Sequence, residues 1–197
     1  MMSGYLEHLS QDKALLPILE NAQQVELKRQ QNLPQYLYRT IINQQLSTRV
    51  GQVILERFLN LFGGNEPTSQ QVASIDFDTL KSIGLSKQKA TYIQNVAKFD
   101  LENGINFESL SKMSDVEAIA YISSIKGIGK WTAELFLMFA LGREDLFPGD
   151  DLILQKKVAE LYGLDRSDKK KFLADMYAIA QNWSPFRTYA SVLIWRS

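Results

Sequence analysis

The 197-residue chain has no cysteine. That rules out disulfides, thiolate metal sites and cysteine-held iron–sulfur clusters. Its one histidine, His8, reads as an ordinary surface or core residue. It has no net charge, with 22 basic and 22 acidic residues, which argues against tight, sequence-blind capture of a polyanion. The balance is uneven, however. From Ser123 onward there are 11 basic and 9 acidic residues, and before it 11 and 13. No apolar run approaches the roughly 18 residues that cross a bilayer, and no basic-then-apolar leader opens the chain. These absences predict a cytoplasmic chain with no membrane partner. Strand-type alternation bounded by turns is missing too, so the chain reads as all-α, with ten to twelve short helices.

The helices announce themselves through caps and apolar spacing. Residues 1–10 read as loosely ordered, and a helix is expected from Asp12 to Asn21. Leu33-Pro34 opens a helix that runs to Asn43. Ser47 caps the next, over 48–62, and Gly63-Gly64 closes it. Thr68 to Gln71 reads as a capping box, and a short helix follows over 77–83. Gly84 stops that helix and Ser86 caps one over 87–102. Lys87 and Lys89 sit at its start, an unusual place for cations, as a solvated face or a backbone contact to a polyanion. Ser114 to Glu117 is a second capping box. Helices over 152–162 and 168–181 follow, and Ser184-Pro185 reads as the start of the last, to Trp195.

The centre of the chain carries the chemistry. Lys126-Gly127-Ile128-Gly129-Lys130 breaks one helix and starts another, which runs from about Trp131 to Leu141. Glycine tolerates positive φ and close backbone approach, so the turn leaves unpaired N–H groups at a helix N-terminus, a site suited to a phosphate. Pro148-Gly149 then interrupts the chain before Asp150-Asp151. Asp150 falls where an N-cap belongs and Asp151 in the first turn. One carboxylate suffices for a cap, which leaves the other fixed on a rigid helix end.

Together, Gly127-Ile128-Gly129-Lys130-Trp131-Thr132-Ala133 and Phe147-Pro148-Gly149-Asp150-Asp151 resemble the helix–hairpin–helix GPD superfamily of DNA base-excision glycosylases. Within it the chain is most similar to the 3-methyladenine DNA glycosylase II branch. Ile41-Ile42-Asn43-Gln44-Gln45-Leu46-Ser47 resembles that branch's DNA-side glutamine loop. Trp183-Ser184-Pro185-Phe186-Arg187 through Trp195-Arg196 resembles its C-terminal helix. The matching blocks span roughly residues 35–196.

The resemblance implies two helical lobes, about 33–144 and about 1–32 plus 145–197, with the active-site cleft between them. It implies a compact form without the extra N-terminal β-domain of longer relatives. It assigns Asp151 to catalysis, with Asp150 as the cap, and Trp131, Trp195 and Leu135 to the base pocket. Gln44, Gln45, Gly127, Gly129, Lys130 and Thr132 are assigned to DNA, with Gln45 as the wedge that fills the gap left by a flipped nucleotide. The carbonyls of Ser123, Ile125 and Ile128 match a monovalent cation site. No other cofactor is expected, and the partner is double-stranded DNA containing a damaged base, met by a monomer.

Relatives that also cut the strand carry a lysine two residues after Gly129, where this chain has Trp131. Lys130 cannot replace it, because one residue along a helix turns a side chain by about 100°. The expectation is therefore a monofunctional enzyme that leaves an abasic site. Purines methylated at N3 or N7 are cationic, leave readily, and stack on an electron-rich ring with roughly 0.5–2 kcal/mol of cation–π energy. A non-catalytic DNA-binding module, and a glycosylase for other damaged bases, remain as alternatives.

Overall fold

The computed structural model describes residues 4–197. All regular structure among them is helical, in chain order α1 (Gly4–Leu9), α2 (Leu16–Glu20), α3 (Leu33–Asn43), α4 (Thr48–Asn60), α5 (Ser69–Ser74), α6 (Phe77–Ser82), α7 (Lys87–Asn103), α8 (Phe107–Ser111), α9 (Asp115–Ser123), α10 (Lys130–Phe139), α11 (Leu152–Tyr162), α12 (Lys169–Gln181) and α13 (Arg187–Arg196). None of these is long and apolar enough to cross a membrane. The chain divides into two compact units, residues 29–136 and residues 1–28 with 137–197, and the division falls inside α10.

In the 29–136 unit, α3, α5 and α6 pack on α7, and α4 packs on α3. The apolar stripe of α3, with Leu37, Tyr38, Ile41 and Ile42, is fully buried, as are Phe58 of α4 and Ile93 and Val96 of α7. Each such side chain withdrawn from water is worth about 1.5–3 kcal/mol. Within this layer the Tyr38 hydroxyl is 3.1 Å from Ser69 Oγ, which donates to Asp100 at 2.6 Å. Both capping boxes form as the sequence predicts, Thr68 with Gln71 and Ser114 with Glu117.

The other unit packs α11, α12, α13, α1 and α2 around Trp183, which is fully buried. Its indole N–H and the Tyr162 hydroxyl both donate to Asp12 Oδ2, at 3.1 and 2.6 Å.

Three sequence expectations are corrected here, apart from residues 1–3, which lie outside the described residues. From Gly4 on, the start is helical rather than loose. Tyr5 stacks on Tyr189 with centroids 4.2 Å apart, and its hydroxyl accepts the Val25 N–H at 2.8 Å. The next helix is shorter than expected, because Asp12 turns its side chain onto the Ala14 N–H and makes a turn there. The last helix starts at Arg187 and not at Ser184, whose hydroxyl donates to Asp145 instead of capping. The five-residue α8, capped by Asn106, was too short for apolar periodicity to reveal.

Candidate active site

The hairpin between α9 and α10 is built by contacts from α7. Gly127 has φ +111°, and a Cβ there would meet the Tyr92 ring at 2.2 Å. Glycine is therefore required twice over, by backbone conformation and by packing. Tyr92 is fixed in turn by Gln88, 2.6 Å from its hydroxyl, and Asn95 donates to the Lys126 carbonyl at 2.9 Å. Gly129 differs: a Cβ would meet nothing within 4 Å. Open space beside it lets a large anion approach the helix start. Lys130 reaches Glu134 at 3.5 Å and keeps more than half its side chain in solvent. Thr132, in the first turn of α10, is buried at 5% exposure. At the turn itself, Ile128 donates its N–H to the Ile125 carbonyl at 2.9 Å, and the Ser123 hydroxyl is buried without a partner.

Trp131, one residue into α10, is 39% exposed. It lines a cavity of about 1110 Å³ together with Gln35, Tyr36, Thr40, Gln44 and Gln45. Leu135, one turn further on, does not line this cavity, and its carbonyl accepts from the Tyr36 hydroxyl at 3.5 Å. Tyr36 therefore supplies the aromatic ring on this wall, with its edge on Phe136 at 5.9 Å. Burial, only partly offset by Thr40, pushes its phenol up to about 12, so it remains a neutral donor.

The glutamine loop is held from an unexpected side. Lys89 Nζ donates to the carbonyls of Ile42 and Gln44, at 2.8 and 2.6 Å. Burial lowers its pKa. The cation that looked out of place at the start of α7 thus closes the C-terminal end of α3, where carbonyls lack helical partners and a positive charge is favoured. Just beyond it Gln45, exposed, has φ +57°, the one positive φ outside glycine among the described residues. A strained residue at a functional loop persists only where its surroundings hold it. Asn43 contributes by occupying the place where a Cβ on Gly51 of α4 would sit.

The residues bearing the carboxylate lie in the other unit. Phe147, Pro148 and Gly149 are buried, with Phe147 edge-on to Tyr177 and Trp183. A Cβ on Gly149 would stand 2.4 Å from the Tyr177 hydroxyl. Gln155 reaches back to the Gly149 carbonyl at 2.8 Å. This packing delivers Asp151, half-buried, to the N-cap of α11, where its Oδ1 accepts the Leu154 N–H at 2.7 Å. The assignment of the cap to Asp150 is therefore corrected. Asp151 N–H already closes a turn onto the Pro148 carbonyl at 2.9 Å, which places Asp150 within the turn, exposed, one residue too early to cap.

The same Oδ1 also accepts from Trp195 Nε1 at 3.0 Å. Trp195, expected in the base pocket, is tilted against Phe139 with centroids 6.1 Å apart, and its carbonyl is held by Lys157. Asp151 and Trp195 are thus brought together in one unit, and Trp131, Gln44 and Gln45 around one cavity in the other. Sequence reasoning missed Gln35 and Tyr36, and it read Lys89 as a solvated or polyanion-facing cation where the structure has it bonded to the Ile42 and Gln44 carbonyls. Only the misplaced positive charge of Lys89 gave any signal.

Residues 38–181 match the HhH-GPD superfamily of base excision DNA repair proteins. The DNA-3-methyladenine glycosylase 1 of Schizosaccharomyces pombe is 30% identical over 163 residues, 82% of this chain and 70% of its own length. Against a Bacillus subtilis relative, 32% identical over 167 residues, the chain spans 57% of the other protein's length. The crystal structure of a DNA-3-methyladenine glycosidase from Bacillus halodurans superposes with a TM-score of 0.86 at 33% identity, covering 99% of this chain and 89% of that one. The S. pombe 3-methyladenine DNA glycosylase in complex with abasic DNA superposes with a TM-score of 0.82 at 26% identity, covering 98% and 96%. By its fold, its glycine hairpin and its carboxylate-bearing turn, and by these likenesses, the chain belongs to the HhH-GPD superfamily of base excision DNA repair proteins.

Proposed function

We propose that this chain is a monofunctional DNA glycosylase that releases alkylated purines from duplex DNA and leaves an abasic site. The observation that carries the reading is Asp151, a carboxylate fixed at a helix N-terminus by two hydrogen bonds to one oxygen. Glycosidic cleavage places positive charge on the sugar as the base departs. A preorganised carboxylate stabilises that charge without having to reorganise, and it accepts a hydrogen bond from the water that attacks C1′. Water adds at C1′, the base leaves, and both strands stay intact.

The remaining parts fit around this step. A base within a duplex is out of reach, so the nucleotide must be flipped out. The backbone N–H groups at Gly129 and the start of α10 grip a backbone phosphate, and Gln45 fills the vacated space. A monovalent cation on the Ser123, Ile125 and Ile128 carbonyls suits this turn, beside a buried Ser123 hydroxyl that has no partner, and would add positive charge facing the phosphate. Trp131 offers a flat electron-rich face to a cationic base. Because Trp131 stands where a strand-cutting relative needs its lysine, no amine is placed to attack the sugar.

The test is a labelled duplex carrying one 7-methylguanine, incubated with the protein and then divided, half being treated with hot alkali. Cleavage appearing only after alkali is the expected result. Cleavage without alkali would mean a lyase, and binding without cleavage a lesion-recognition module.

A further inference from the structure

Gln35 is the third residue of α3, a position where Gln or Glu usually reaches back to the N-cap N–H. Gln71 and Glu117 do so at the equivalent positions of α5 and α9. Gln35 does not. Its backbone N–H is taken by the Asn32 side chain at 3.1 Å, while its own Oε1 and Nε2 are both buried without a hydrogen-bond partner. The residue is 1% exposed, yet it lines the cavity that also holds Trp131 and Tyr36. Two unmet polar atoms weaken the fold, and an apolar side chain of the same length would avoid that cost. A ligand entering this cavity would supply those partners once the carboxamide, now closed to solvent, turns toward it.

Its chemistry narrows the ligand. A carboxamide offers one acceptor and one donor side by side, and it pairs with an edge carrying a donor beside an acceptor. The adenine amino group beside ring nitrogen is such an edge. 3-Methyladenine keeps it. 1,N6-Ethenoadenine does not, because its bridge ties up N1 and N6 and removes the donor. We propose that Gln35 is a specificity-determining residue, whose carboxamide reads the amino-bearing edge of the base stacked on Trp131 and favours 3-methyladenine over 1,N6-ethenoadenine. The proposal rests on the glycosylase reading above.

The experiment uses Gln35→Met, which keeps the length and loses the amide. Single-turnover release of 3-methyladenine and of 1,N6-ethenoadenine is measured for wild type and variant, together with Tm. The expected result is release of 3-methyladenine reduced about tenfold or more, with ethenoadenine release unchanged or raised and Tm equal or higher. If wild type leaves ethenoadenine untouched, that is the limit of the same preference, and loss of 3-methyladenine release at undiminished Tm carries the proposal. Equal falls in both rates would mean a packing role and overturn it. So would a Tm lowered by several degrees, since the amide would then have partners in the free protein. A wild type that releases neither base defeats the glycosylase reading itself, a result distinct from active wild type with an unmoved ratio.

Discussion

Trp195 donates its indole N–H to the carboxylate oxygen of Asp151 that also caps α11. One oxygen thus holds a helix end and a tryptophan, and the structural and chemical duties of Asp151 can be separated by substitution. Asn caps nearly as well as Asp, whereas Ala does not. Asp151→Asn should keep stability within about 0.5 kcal/mol and lose base release, while Asp151→Ala should lose release and about 1 kcal/mol as well. Chemical denaturation and single-turnover kinetics on the same samples check both halves.

Trp195→Phe keeps an aromatic ring against Phe139 and removes only the donor. A net hydrogen bond to a charged acceptor is worth about 1.5–3 kcal/mol, so the release rate should fall roughly 10- to 100-fold if the bond aims Asp151. Were Trp195 only a stacking surface, the rate would barely change. The comparison is made at saturating protein, which separates aiming from affinity.

The two hairpin glycines should behave differently. Gly127→Ala forces a Cβ into the Tyr92 ring at a φ that L residues rarely adopt, and it should cost about 2–4 kcal/mol. Gly129→Ala meets open space and should change stability by less than about 1 kcal/mol. Tyr92→Ala combined with Gly127→Ala should recover part of the loss, because the clash is removed while the strained φ persists.

Much of this was legible in the sequence because local signals decide it. Caps at Ser47, Ser86 and Ser114 and the apolar stripe of α3 are satisfied within a few residues, and the structure follows them. The hairpin and the Pro-Gly break were legible as glycine demands. Asp150 against Asp151 was not, because which of two adjacent acids caps depends on where the Pro148 turn closes, and only the packing of Phe147 and Gly149 sets that. Gln35 and Lys89 act through partners far along the chain or through none, and spacing cannot show either case.

Lys89→Met should leave the Ile42 and Gln44 carbonyls short of their donor and loosen Gln45. A wedge matters most where flipping is costly. The rate should therefore fall most for a lesion opposite its normal pairing partner and least for one opposite an abasic site, where less pairing is broken. Equal losses on both duplexes would show a general folding defect.

In the unit of residues 1–28 and 137–197, Arg187 grips Asp145 through two bonds at 2.7 and 2.9 Å, and Ser184 adds a third. Burial raises the Asp145 pKa, but these bonds outweigh it and hold the carboxyl below its usual range. A carboxyl depressed on folding adds stability that is fully present above its unfolded value, about pH 4, and is lost as pH falls through the folded one. Wild-type Tm should therefore decline below that point, with a shallower decline in Asp145→Asn, which should also cost about 2 kcal/mol at neutral pH. Thermal melts across acid pH provide the check.

The most direct test of the central claim is the release of free 3-methyladenine from a methylated duplex by wild type and Asp151→Asn. Both are first matched for Tm and for affinity toward an abasic duplex. The account predicts that both bind the abasic duplex and only wild type releases base. Release by Asp151→Asn at the wild-type rate would remove the carboxylate from the mechanism, and no release by wild type would remove the activity.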